Sequence, residues 1–259
     1  MGRFYIANPP ASKVESISIA VQPKAYSSPM HKINTEKTTS PKTTLEATYQ
    51  SIRRNIVAGV HPQGTKLPIG ALTKQYSVSA GTIRESLSRL ISESLVDTHD
   101  QKGFSVSPMS LNSLREITEL RILLEKEALR QSIRLGDEYW EQELVSASYL
   151  LARVEGESDL SSQGIIVVWE QRNRAFHTAL IAAYPSSWHK MMIDMLYSQW
   201  VRYSYCAINS SKSPGQLNEE HTAIQEAALA RDSDAAERLL EAHIRDTADH
   251  LLSSGLIPE

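Results

Sequence analysis

The sequence predicts a mainly α fold: a small helical domain carrying a β-hairpin, then an all-helical bundle. Three observations support this. Residues 67 to 106 hold two short amphipathic stretches separated by Ser77-Val78-Ser79, followed by two β-prone runs around a glycine. Beyond residue 109 apolar residues recur at helical spacing, with none of the period-two alternation of a strand. The charge divides at the same place. Residues 1 to 108 carry 13 Lys and Arg against 7 Asp and Glu, whereas residues 109 to 259 carry 14 against 23. A basic first part and an acidic second part suit a chain that meets phosphates only at its N-terminal end.

Residues 1 to 42 are rich in Ser, Thr, Pro and Lys without sustained periodicity, and read as a disordered arm. Its six basic residues against two acidic ones either add sequence-independent attraction to DNA or are simply solvated. From there Leu45, Tyr49, Ile52 and Ile56 form a helical stripe that ends at Gly59, a suitable C-terminal cap. Arg53 and Arg54 lie off that stripe, placed either to reach backbone phosphate or to form a solvated surface pair. Pro62 and Gly64 turn the chain into Leu67. Leu72 and Tyr76, four apart, mark a short helix; Val78 plugs the turn after it. Ser79, or Thr82 with Glu85 three residues on, is placed to cap the next helix. There Ile83, Leu87, Leu90 and Ile91 make the core face and leave Arg84, Ser88 and Arg89 outside.

Residues 95 to 98 and 104 to 107 flank a turn containing Gly103, which reads as a hairpin. Two helices, a tight turn and a hairpin make a winged helix-turn-helix, a device that sets the start of its second helix against base edges. Candidate DNA contacts are Ser79, Gly81, Thr82, Arg84 and Arg89 on that helix, Arg53 before it, and Gln101, Lys102 and Gly103 in the wing. Pro108 and Ser110 punctuate the chain, so the winged domain is taken as 43 to 108 and the bundle as 109 to 259.

Six helices are expected in the bundle: 112 to 135 capped by Gly136, 138 to 154, 165 to 184 stopped by Pro185, 188 to 208, 217 to 230, and 234 to 252 capped by Ser233. Trp169, Asn173, Phe176, His177 and Leu180 share one face, so Asn173 and His177 point inward one turn apart. His221 lines up with Ile224 and Ala228, and His243 with Ala236 and Leu240. Burying three unpaired imidazoles is costly, and a metal ion relieves that cost by taking a lone pair from each. A three-histidine site of His177, His221 and His243, with Asn173 as a fourth, oxygen ligand, is preferred over three separate core histidines. His189 and His250 stand in reserve. Such a set suits zinc, nickel, manganese or iron.

Cys206 is the only cysteine, which excludes a disulfide framework and fits a reducing cytoplasm. No apolar run approaches the roughly 20 residues of a membrane span, and the N-terminus lacks the apolar block of a signal peptide.

Val78, Ser79, Ile83, Arg84, Glu85, Ser86, Leu87 and Leu90, with Ser94-Leu95-Val96 leading into the wing, resemble the GntR transcription regulators. That family's pattern runs roughly Val-Ser-x-x-x-Val-Arg-Glu-Ala-Leu-x-x-Leu. Ala80 stands where the family usually has Arg, which removes one guanine-reading group and implies a different operator. Residues 111 to 252 resemble the FCD ligand-binding domain of the FadR branch. There an Asp-x-x-x-His pair and two later histidines bind a metal; Asn173 departs from that Asp, and a neutral amide implies weaker metal binding. The resemblance also implies a small carboxylate effector held by arginines, with Arg121 at a pocket-facing position and Trp200, Arg202, Tyr203 and Tyr205 as further candidates, of which only some can face inward from one helix. Gln101 to Phe104 and Gln171 to His177 are similar to regulators of the carbon-starvation (CsiR) type, which suggests a short dicarboxylate such as glutarate.

The expected function is therefore a homodimeric, cytoplasmic DNA-binding transcription regulator, a repressor rather than an activator, whose operator affinity follows the effector. Two alternatives stand beside it. One is a metal-dependent enzyme, although no His-Glu-x-x-His motif or evident general base accompanies the histidines. The other is a DNA-binding module whose helical part only dimerises.

Overall fold

The winged part forms around one apolar cluster because each of its elements offers a single apolar face to it. The computed structural model describes residues 44–99, 103–156, 163–206 and 214–257, and residues from Pro41 on form one compact unit. Helix α1 (Thr44–Val57) buries Ile52 and Ile56, α2 (Ile69–Tyr76) buries Leu72, and α3 (Ala80–Ser92) buries Ile83, Leu87 and Leu90. Leu67, Leu95, Val96 and Val106 complete the cluster. Strands β1 (Val96–His99) and β2 (Gly103–Val106) pair antiparallel, with Val96 opposite Val106 and His99 opposite Gly103. The stretch before α2 joins them: Leu67 N–H donates to Phe104 O at 2.8 Å, and Val106 N–H to Thr65 O at 2.9 Å.

The α2–α3 turn is closed by Ser77 at φ 53°, and its caps differ in part from expectation. Ser79 caps α3, its Oγ accepting from Thr82 N–H at 3.1 Å. Thr82 is already inside the helix, so the Thr82–Glu85 capping box does not form. Ser94 also lies in the left-handed region, at φ 56°. A side chain there costs about 1 kcal/mol.

The bundle holds α4 (Leu111–Leu135), α5 (Glu138–Glu155), α6 (Gln163–Leu180), α7 (Ser187–Cys206), α8 (Pro214–Leu229) and α9 (Ser233–Ser253). Helix α4 packs on α7 and α9, α5 on α6 and α8, and α8 on α9. The two longest buried stripes carry polar residues among their apolar ones. On α4 these are Arg121, Glu125 and Ser132; on α9 they are Glu237 and His243.

One helix end and one cap differ from expectation, and a third end holds for a different reason. Helix α6 stops at Leu180, with turns before Pro185, because Pro disfavours helical geometry in the residues ahead of it. The last helix is capped by Asp232, whose Oδ1 accepts from Ala235 N–H at 3.0 Å, and Ser233 is its first residue. Gly136 ends α4 at φ −63°, so left-handed freedom is not its purpose. A Cβ there would lie 2.3 Å from Trp140 Cε3 and 2.8 Å from Ser132 O. Trp140 cannot yield, being buried with its Nε1–H bound to Ala179 O at 2.9 Å. Gly136→Ala is expected to lower stability by roughly 1–3 kcal/mol through overpacking, read as a fall in urea midpoint.

Candidate functional site

The polar positions of three bundle helices converge on one point. His177 of α6, His221 of α8 and His243 of α9 are all buried, and each can offer a ring nitrogen such that the three lie within 4.8 Å of one another. A carboxylate stands behind each ring. Glu155 Oε1 is 2.9 Å from His221 Nδ1, Glu220 Oε2 is 2.8 Å from His243 Nδ1, and Glu125 Oε2 is 3.6 Å from His177 Nδ1. A carboxylate on Nδ1 fixes the ring and leaves the lone pair on Nε2. His221 Nε2, His177 Nδ1 and Asn173 Oδ1 are buried with no hydrogen-bond partner among the described residues. Burial keeps His177 below the usual imidazole range, against the pull of Glu125. Burial likewise pushes His243 down to about 3 despite Glu220. Burial thus favours the neutral form of His177 and of His243, the form in which imidazole can hold a divalent ion.

Arg121, Asn173, His177, Tyr197, Trp200 and His243 line a cavity at this cluster. Arg121 is buried; its Nε–H donates to Glu125 Oε1 at 2.7 Å, and its guanidinium lies 4.6 Å from the Trp200 ring and 5.3 Å from that of Tyr197. Burial alone would raise the Glu125 carboxyl, but Arg121 and His177 outweigh it and hold it at about 2.

Of the other effector candidates, Trp200 lines this cavity, whereas Arg202 and Tyr203 sit elsewhere. Arg202 is buried against the chain beyond the wing, donating to Ser107 O and, at 2.9 Å, to Gln199 Oε1. The Tyr203 hydroxyl lies 3.4 Å from Ser110 N and 3.3 Å from Ser110 O. Both lie on the side of α7 that meets the junction with the winged part. A helix has several faces, and sequence spacing did not say which one the cavity takes. The reserve histidines are also away from the cluster: His250 is exposed, with Nδ1 2.7 Å from Asp246 O, and His189 pairs with Ser186.

On the winged part, Gly81, Arg84 and Arg89 of α3 are exposed and Thr82 is half-buried. Arg84 makes no hydrogen bond or ion pair among the described residues. Ser79 is occupied as a cap, and Arg89 is paired with Glu46 at 3.1 Å and Glu85 at 3.3 Å. Arg53 is turned inward: its Nε–H donates to Glu93 Oε2 at 2.8 Å and its Nη2–H to Ser198 Oγ on α7. It joins the two parts of the chain instead of standing free for phosphate. Gly103 takes φ +81° in the wing, while Gln101 and Lys102 lie outside the described residues.

Two families match this chain: the gntR family of bacterial regulatory proteins over residues 44–106 and the FCD domain over residues 116–246. An HTH-type transcriptional regulator of Paraburkholderia xenovorans, BphR, is 39% identical over 82% of this chain and 87% of that protein. The chain belongs to the gntR family. It is a DNA-binding transcription regulator with an FCD domain, and its relatives are regulators, not enzymes. The Escherichia coli HTH-type transcriptional repressor GlaR is 28% identical over 76% of this chain and 90% of its own. The solved structure of Escherichia coli McbR/YncC shares the fold, with a TM-score of 0.67 at 19% identity, covering 81% of this chain and 97% of that one.

Within this gntR-family chain, Trp200 lines the cavity as a candidate should, and the residues that spacing missed are the carboxylates behind the histidines and Tyr197 in the cavity wall. One signal was legible. Trp140, Leu144, Ser148, Leu151 and Glu155 form the buried stripe of α5, and an acid closing an apolar stripe needs a partner inside. Glu125, four residues from Arg121 on the buried face of α4, is the same kind of signal.

Glu125 supplies a stability prediction. Its folded pKa lies below the unfolded one, so its contribution is fully present above about pH 4.5 and is lost as pH falls through about 2. Arg121→Met strands this carboxylate in the interior and is expected to cost roughly 3–5 kcal/mol in urea unfolding at neutral pH. An unchanged midpoint would show that the pair is dispensable.

Proposed function

We propose that the protein is a homodimeric, cytoplasmic repressor of the FadR branch whose operator affinity falls when a small carboxylate binds beside a divalent ion in the bundle. The observation that carries this reading is the convergence of His177, His221 and His243 within 4.8 Å, on a cavity that also presents a buried arginine. The donor set fits an ion: three imidazoles, two of them with a carboxylate hydrogen-bonded at the outer nitrogen, and the orphaned His221 Nε2 and Asn173 Oδ1 atoms that an ion would satisfy. His177, His221 and His243 would hold it, with Asn173 Oδ1 as the oxygen donor, and zinc, nickel or manganese suits them. The ion supplies positive charge for an anionic ligand. Arg121, its Nε taken by Glu125, keeps the far edge of its guanidinium for a carboxylate of that ligand. A short dicarboxylate such as glutarate is the ligand class proposed.

Helix α7 supports the coupling to DNA. Tyr197, Trp200 and Val201 line the cavity. Between them, Ser198 takes a bond from Arg53, Gln199 Nε2–H donates to Glu93 O at 2.7 Å, and Arg202 holds Ser107. Glu93 is the residue that ends α3, so one helix touches both the cavity and the end of the recognition helix. A ligand that shifts α7 changes the pose of α3, and by linkage DNA changes ligand affinity by the same factor. Two copies are required because one such helix reads few base pairs. The repressor sign follows the name of GlaR.

Two outcomes test the reading. Arg84→Ala is expected to weaken binding to a genomic fragment selected by the wild type by about 1–3 kcal/mol in fluorescence anisotropy at fixed salt, with unchanged melting. Equal affinity would remove Arg84 from the reading surface. For His221→Ala, elemental analysis of purified protein should find the divalent ion gone and dicarboxylates should no longer release DNA; a full metal complement would sink the site.

A further inference from the structure

Asn173 is the one donor of the cluster whose two ends are chemically different. An amide can offer an ion its oxygen but not its NH2 group, and the two ends are nearly identical in shape. Something must therefore choose which end faces the histidines. Asn173 Nδ2–H donates to Tyr197 Oη at 3.0 Å, and Oδ1 is the end left buried without a partner. Tyr197 could in principle donate its own proton to the amide and reverse that choice. Glu170 prevents it. One turn before Asn173 on α6, it lines the same cavity and interacts with the Tyr197 hydroxyl. A carboxylate is a stronger acceptor than an amide oxygen, so the phenol proton goes to Glu170 and the phenol oxygen is left only to accept. Burial raises the Glu170 carboxyl above its ordinary range, and Arg174, Arg53 and the Tyr197 hydroxyl act in the opposite sense, toward the carboxylate. Tyr197 itself is buried and clasped between the Arg121 and Arg174 guanidinium groups, 5.3 and 5.2 Å from its ring, so the phenol cannot swing away.

We infer that Tyr197 and Glu170 are positioning residues that orient the Asn173 amide, so that this chain presents an oxygen to the histidine cluster from a residue with no charge. The inference rests on the metal reading given above. It makes metal affinity depend on a phenol that touches no ligand nitrogen, and makes that dependence specific to an amide. An aspartate at position 173 has two equivalent oxygens and needs no such choice.

The test uses the full-length protein, first freed of metal, and titration with zinc(II) against a competing chelator dye. Tyr197→Phe should lose ten- to hundredfold in zinc affinity. In an Asn173→Asp background the same Tyr197→Phe change should cost less than threefold. A general packing role for Tyr197 would give equal losses in both backgrounds, and that result overturns the inference. So does a Tyr197→Phe protein that binds zinc like the wild type. Should Tyr197→Phe not fold, Glu170→Leu carries the same comparison: it frees the phenol proton for the amide and should weaken zinc binding with Asn173 but not with Asp. If the wild type takes up none of zinc, nickel and manganese, the metal reading itself falls and takes this inference with it. Wild-type uptake with an indifferent Tyr197 overturns the orientation alone.

Discussion

Burial of charge-capable groups is the constraint on which the bundle depends. Three imidazoles and the carboxylates of Glu125 and Glu155 lie in a core otherwise made of residues such as Leu114, Leu144, Phe176 and Ile224. Each group taken from water there needs a partner, and the nearby carboxylates come from different helices: α5 and α8 bond to His221 and His243, while that of α4 lies 3.6 Å from His177. The cluster therefore ties together the helices that form it. It also leaves atoms unsatisfied at its centre, and those atoms define what the site can bind.

The same economy recurs in α7. Residues 197 to 203 turn one face to the cavity and the next to the winged part, so Trp200, which lines the cavity, directly follows Gln199, which bonds to the end of α3. Interior packing is stiff, and a displacement on one face of such a helix is carried to the other. Arg53 belongs to this junction. Its position off the apolar stripe of α1 is compatible with phosphate contact, but Glu93 and Ser198 offer it acceptors within the chain, and a pair shielded from water outcompetes an exposed one.

Much of the architecture was legible in local patterns. Ile83, Leu87 and Leu90 define the core face of α3 and leave Arg84 outward, because a helix repeats every 3.6 residues whatever it packs against. The inward direction of Asn173 and His177, and of His221 and His243, follows from the same rule. Local patterns failed where a residue could satisfy either of two roles. Thr82 and Ser79 could both cap α3, and the nearer one to the turn did. Gly136 caps α4 as spacing indicates, but the need for glycine there comes from Trp140, which passes too close for a Cβ.

By itself the sequence determined the order of elements, the family to which the chain belongs and the four residues that face inward around the candidate centre, since these depend on periodicity and on residue type. Tertiary structure alone decided which carboxylates stand behind the histidines, that Arg202 and Tyr203 serve the junction with the winged part, and that Arg121 serves the cavity. The physical reason is that hydrogen bonds and ion pairs act over about 3 Å, between groups here 66 to 95 residues apart in the chain for His221–Glu155 and Arg202–Ser107. Spacing along one helix fixes a direction, but only the packing of six helices fixes what lies in that direction.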